Sequence, residues 1–402
     1  MTSVAIEGPR EQAAQRFQQL GWPTPRLEEW KYTNLAPLAN EKFEPATRAA
    51  KVDVASLSLA GRAAAELVFV DGVFAPELST NAADFAMSAE VREKHWSRYA
   101  DYQNHALTAL NTASSTLGAA LHFKRTTPGF VHVLHVATDG HVSHPRNLFV
   151  IDSGVQATIV ETFAGQGKYF TNAVTELVAG DGAVVNHCKL ECESREAYHV
   201  STTQIHQERA SSVTSAAIAL GGALVRNEVN AALTGEGASL VLDGLFVLTG
   251  KQHVDNHTVI DHAKPHCESI ELYKGILDQQ SRGIFDGTII VREGAQKTVS
   301  RQTNKNLLLS ETAIVDSKPT LVIHNDDVKC NHGSTIGQLD EQSVFYLRSR
   351  GLGEEEARSL LVYAFASELV DRIKVDAVRE LIGRAMFQQL PERLPERRGA
   401  AR

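Results

Sequence analysis

The chain has 402 residues, 43% of them hydrophobic, with four cysteines and a formal net charge of −8 at pH 7. That length exceeds one ordinary core, so two or three structural units are expected, and the acidic balance argues against nucleic acid as the main partner. No run approaches the ~18 apolar residues of a membrane span, four cysteines make no disulfide framework, and the opening MTSVAIEGPREQAAQ lacks the apolar core of a signal peptide, so the expected compartment is the cytoplasm.

From Pro9 to Leu38 the pattern is helical, with Ala13, Phe17 and Leu20 on one stripe and Gly21 with Pro23 as the stop. Residues 40–95 mix short apolar runs such as AELVFVDGVF with Ala/Asn-rich linkers. HALTALNTASSTLGAALHF, from His105, reads as helix again. Between Gly129 and Leu347 the period changes from 3.6 to 2. Strand-like segments recur there: FVHVLHV, QATIVETF, AVVNHCKLE, SSVTSAAIAL, ASLVLDGLFV, GTIIVRE and TLVIH, with glycine or aspartate marking their starts. Many short strands without intervening helices can close into a sandwich, a barrel or a stacked solenoid. The roughly regular glycine punctuation favours the solenoid, although no strict repeat can be extracted.

After Gly351 the helical period returns. GLGEEEARSLLVYAFASELVDRI opens on three glutamates, which suit the positive end of a helix dipole. Ala357, Leu360, Leu361, Ala364, Phe365 and Leu369 form one apolar stripe; Val362, Tyr363, Ala366, Val370 and Ile373 form another. A second helix from Val375 carries Val378, Leu381, Ile382 and Ala385. Two short helices cannot bury three such stripes unaided, so another surface must cover one. The basic tail PERLPERRGAAR reads as a frayed terminus. The resulting division is a largely helical amino-terminal unit (1–128), a β-rich core (129–347) and a carboxy-terminal helical unit (348–402).

The residues with chemistry concentrate in DDVKCNHGSTIGQLD, Asp326 to Asp340. Cys330 and His332 lie two apart in a predicted strand, so they share a face at roughly 6–7 Å and can converge on one soft species such as iron, sulfide or zinc. A buried cysteine beside a strand-end histidine is the plain structural alternative. Cys188 and Cys192 form a C-x3-C pair, but on a strand their sulfurs lie about 13 Å apart, too far for one metal with bonds of about 2.3 Å. They read as structural. HVDNHTVIDHAKPHC, from His253, holds four histidines and Cys267, but its β-branched residues push it toward strand or loop, so a polar face is favoured over a metal site. No P-loop, dinucleotide fingerprint or nucleophile elbow is present, so the chain is not expected to bind or hydrolyse ATP itself.

Three stretches resemble the SufB/SufD family of iron–sulfur cluster assembly proteins: the Cys330–His332 segment, SIELYKGILDQQSRGIFDGTIIVREGAQKTVSRQTNKNLLLS from Ser269, and FYLRSRG from Phe345. The amino-terminal WPTPRLEEWKYTNL, from Trp22, resembles that family's opening segment. The resemblance implies a right-handed parallel β-helix core with helical segments at both ends. The length and KCNHG are similar to the SufD side of the family, since SufB-type members are longer and carry acidic and cysteine residues on this strand.

It further implies a non-catalytic scaffold subunit. That subunit would pair through its β-helix with a SufB-like chain, or with itself when isolated, and would dock a SufC-like ABC ATPase. His332 and Cys330 would serve a transient iron–sulfur cluster shared with the partner, His332 as tentative iron ligand, and reduced flavin (FADH2) is a candidate cofactor of the complex. Docking of the ATPase is expected on the helix from Glu354, at Leu361, Tyr363 and Phe365. A SufB-like, sulfur-accepting scaffold is the alternative. A carbohydrate-active β-helix enzyme would need paired carboxylates along one face, and no convincing pair is present.

Overall fold

The computed structural model describes residues 4–389, so the basic tail from Pro391 lies outside the described residues. Two 10-stranded sheets form the walls of a parallel β-helix. In the first sheet, Ala65–Val70, Val131–Ala137, Gln156–Gly165, Val184–Cys192, Ser212–Ala219, Ser239–Leu248, Glu268–Leu277, Val299–Leu308 and Lys329–Gly337 lie side by side in chain order. The second carries the alternate strands, among them Phe170–Ala179, Tyr198–Gln207, Leu224–Leu233, His253–His262, Arg282–Val291 and Ile314–Ile323. The chain therefore crosses from wall to wall with each strand, and the two inner faces share one core. Val185, Val213 and Leu240 from the first sheet meet Leu177, Ile205, Val229, Ile260 and Ile289 from the second in a continuous buried cluster.

One corner repeats through six successive coils. Gly154, Gly182, Ala210, Gly237, His266 and Lys297 all take positive φ, between 54° and 71°. Each donates its N–H to a carbonyl of the next coil, from Gly154 to Asp181 through to Lys297 to Asp327, so the corners hydrogen-bond like an added strand. Glycine meets that conformation without a steric penalty in three of the six coils. Coil length is not constant. Thr214 registers with Val241, 27 residues on, whereas Ile270 registers with Arg301, 31 residues on.

At the amino end the helix stops at Leu20, where Gly21 (φ 67°) returns its N–H to the Phe17 carbonyl at 2.8 Å. The stripe predicted to run on to Leu38 is interrupted by Pro23 and Pro25. A 3-10 turn, Glu28–Trp30, and the short helix Ala36–Ala39 follow instead. The stretch read as helix from His105 is helical only over Ala106–Ser114, and Thr116–Phe123 is a strand of the second sheet. Ala65–Val70, from the ambiguous region, is buried throughout and pairs with Val131–Val136.

The carboxy-terminal helices Glu354–Val370 and Asp376–Gln389 pack on the outer face of the first sheet. Val362, Ala366, Leu369, Ile373, Val378 and Ile382 bury against Val160, Cys188, Leu190, Ile218, Leu245 and Ile276, so the β-helix itself covers the excess apolar surface. Polar pins complete the contact. Lys274 Nζ donates to the Phe365 carbonyl at 2.6 Å and pairs with Glu368, and Arg372 pairs with buried Asp243 at 3.0 Å. A third helix, Glu341–Ser349, follows the last strand directly; Asp340 caps it by accepting from the Gln342 and Ser343 amides.

Candidate functional site

Lys329–Gly337 pairs on one side only, with Val299–Leu308. It ends the first sheet, and Ile314–Ile323 ends the second, so this end of the β-helix presents two strand edges without a neighbour among the described residues. The side chains follow suit. Ile314 (54% exposed), Val322, Ile323 and Ile336 (52%) are apolar and open to solvent. Such an edge is a template for pairing with another chain.

Cys330 and His332 share the inward face of this edge strand, as the period-2 spacing requires. Cys330 is half-buried and packs with Leu321 and Val328 on the core cluster, whereas His332 is exposed. Burial pushes the Cys330 thiol above its ordinary value, although the Ser300 backbone favours the ionised form. It is therefore a thiol at neutral pH, and ionisation requires a metal or another positive charge. One coil inward, Cys330 registers with Ser300 and His332 with Gln302. Both are buried and hydrogen-bonded further in: Ser300 meets Ser269 at 2.7 Å, Ser269 meets His262 Nε2 at 2.9 Å, and Gln302 Nε2 donates to Glu271 at 2.7 Å. No motif marks these groups. The signal was the polar alternation of SRQTNKN, in which Ser300, Gln302, Asn304 and Asn306 all face inward and are buried.

The other candidates separate cleanly. Cys188 lies on the outer face beneath the carboxy-terminal helices, and burial pushes both its thiol and that of Cys192 up to about 12. Cys267 is buried and donates to the Gly235 carbonyl at 3.3 Å. The histidine-rich strand His253–His262 does not converge. His253 meets Thr33 at 2.8 Å, His257 pairs with Asp255 at 2.9 Å, and His262 points inward to Ser269. Among the described residues, no group of three or more His, Cys, Asp or Glu side chains is arranged to hold a metal ion.

In the carboxy-terminal unit, Leu361, Tyr363 and Phe365 are half-buried. Tyr363 and Phe365 lean on the same cluster as the β-helix wall, and the Phe365 ring lies 4.2 Å from the Lys274 ammonium. The exposed apolar side chains are others: Phe345 (73%), Tyr346 (56%) and Leu360. No helix of the described residues is long and apolar enough to cross a membrane.

Residues 133–365 match the family described as "SUF system FeS cluster assembly, SufBD core domain", and residues 1–60 match the "SufBD protein N-terminal region". The chain is 33% identical to an iron–sulfur cluster assembly SufBD family protein of Synechocystis, over 92% of this chain and 88% of the relative. It is 31% identical to the iron–sulfur cluster assembly protein SufD of Escherichia coli, over 94% and 93% respectively. Against SufD of Bacillus subtilis the identity is 27%, over 69% of this chain and 65% of that protein.

Proposed function

We propose, since the chain belongs to the SufBD family of the SUF iron–sulfur cluster assembly system, that it is a SufD-like, non-catalytic scaffold subunit whose open β-helix edge pairs with a longer SufB-like chain. The observation that carries this reading is the edge strand Lys329–Gly337, which leaves one side unpaired while holding exposed His332 and half-buried Cys330 on one face. The cluster is cargo, not a resident group. A neutral imidazole and a thiolate both suit iron, but a cluster typically takes four ligands, so the pairing chain supplies the rest.

The raised Cys330 thiol favours this role over that of primary sulfur acceptor, which needs a reactive thiolate. His332 then makes the first contact with iron, and Cys330 ionises as the metal arrives. The partner ATPase docks on the carboxy-terminal helices. Phe345, Tyr346 and Leu360 supply the exposed apolar contact, with Leu361, Tyr363 and Phe365 bordering it. Reduced flavin stands as a candidate cofactor of the assembled complex, and no step is routed through it.

The test is His332→Ala in the reconstituted complex, with cluster content read by absorbance and complex integrity by gel filtration. Intact complex with markedly reduced cluster is expected; intact complex with undiminished cluster would reduce His332 to a surface residue.

A further inference from the structure

Glu271, Gln302 and His332 occupy one row across three adjacent strands of the first sheet, each the register neighbour of the next, with their side chains on the inward face. Neighbours in such a row stand about 4.8 Å apart, near enough to hydrogen-bond along the sheet as a ladder. The inner rung is made. Gln302 Nε2 donates to the Glu271 carboxyl at 2.7 Å, and the Thr258 hydroxyl holds the same carboxyl from the facing sheet. That contact decides which way round the Gln302 amide lies, since only its nitrogen donates. Room for the nitrogen comes from Gly287, where a β-carbon would collide with it.

With the nitrogen turned to Glu271, the amide oxygen is left on the side of the edge strand. Gln302 is 1% exposed, and its Oε1 is a buried acceptor without a hydrogen-bond partner. An oxygen left unpaired in this way is costly, and a native structure has a reason for it. The next side chain along the row, and one with an N–H to give, is His332.

We infer that Gln302 is the positioning residue for His332: its Oε1 accepts the imidazole Nδ1–H, which leaves Nε2 free at the open edge as the nitrogen that meets iron. A ligating histidine commonly gives its second N–H to an oxygen acceptor, which fixes the tautomer and the ring orientation and makes the free nitrogen more basic. The distal nitrogen is also the one that reaches past the strand toward a pairing chain. Glu271 stands one place further in and acts only through the amide it orients. That Nε2 meets iron rests on the assembly reading above; the ladder itself rests on the strand register and the unpartnered oxygen.

Two measurements test it. The first takes the full chain alone, with 15N-labelled histidine, at pH 8, where an ordinary imidazole is neutral. The His332 signals, identified by their loss in His332→Ala, should report the Nδ1–H tautomer, whereas free histidine favours Nε2–H. Gln302→Met, near-isosteric but without the acceptor, should return His332 to the free ratio. In the reconstituted complex, Gln302→Met should cut cluster content about tenfold while gel filtration shows the complex intact. It should cost nothing further in the His332→Ala background. The exchange of Glu271→Gln with Gln302→Glu keeps a donor behind and an acceptor beside His332, and should restore both readings. A free tautomer ratio in the wild type, or a cluster loss of equal size in both backgrounds, would overturn the proposal and leave Gln302 a structural residue. The tautomer reading involves no iron, so it fails separately from the role of His332 in assembly.

Discussion

Replacing Arg226 should unlock the amino-terminal segment from the β-helix wall. The guanidinium is 1% exposed and clamped by Asp255 at 2.6 Å and Glu228 at 2.9 Å, with the Trp30 ring centroid at 3.8 Å. Asp255 also accepts from Thr33 Oγ1 at 2.5 Å, so one ion cluster joins the outer face of the second sheet to the WKYT stretch. Arg226→Met keeps most of the apolar volume over Trp30 but leaves buried Asp255 and Glu228 with only His257 and His105 as cationic neighbours. Breaking such a pair from one side costs about 3–5 kcal/mol, and the lost cation–π contact adds about 1–2 kcal/mol. Urea unfolding, followed by circular dichroism and tryptophan fluorescence, measures the loss. Asp255→Asn in the Arg226→Met background should restore about 1–3 kcal/mol, because it removes one of those charges. A loss below about 1 kcal/mol, or strict additivity of the two substitutions, would refute the clamp.

Stability should fall on mild acidification. Burial holds His135 and His262 down at about 4, against about 6.5 in the unfolded chain, so between those values the unfolded state binds the extra protons. Their contribution is complete above pH 6.5 and is lost as pH falls toward 4, about 2 kcal/mol each by pH 5. Comparing urea midpoints at pH 7.5 and 5.0 checks this, and His135→Phe, stacked between Phe69 and Phe163, should flatten the slope. For ATPase docking, Phe345→Asp or Tyr346→Asp should abolish pull-down with little change in melting temperature, whereas Phe365→Asp should also lower the melting temperature, because its ring covers Lys274. Docking that survives at Phe345 and Tyr346 would move the contact elsewhere.

The strands with apolar inner faces, such as QATIVETF and ASLVLDGLFV, were legible from alternation alone, and so was the helix from Glu354. Other strands escaped because polar groups fill the inside of the β-helix. Tyr198–Gln207 and Val299–Leu308 bury serine, threonine, asparagine and glutamine where alternation looks for valine. The repeat was hidden by coil length, since corners of unequal size shift the register by several residues between coils. Thr116–Phe123 reads as helix in the sequence because its alanines and leucines suit either state, and the sheet contact that decides the matter is long-range. At the site, the i, i+2 pairing of Cys330 with His332 was readable from spacing. The edge position was not, since it depends on which strand comes last, and neither was the deep burial of Glu271, which depends on strands brought alongside it.

The central claim is that the strand bearing His332 is where a second β-helix chain pairs. Hydrogen–deuterium exchange across residues 329–337, with and without the longer SufB-like subunit, tests it most directly. The outward amides of this edge lack a strand partner in the chain alone and should exchange quickly, then gain strong protection on complex formation, while the carboxy-terminal helices respond to the ATPase instead. A stable complex in which residues 329–337 exchange as fast as in the free chain would contradict the account.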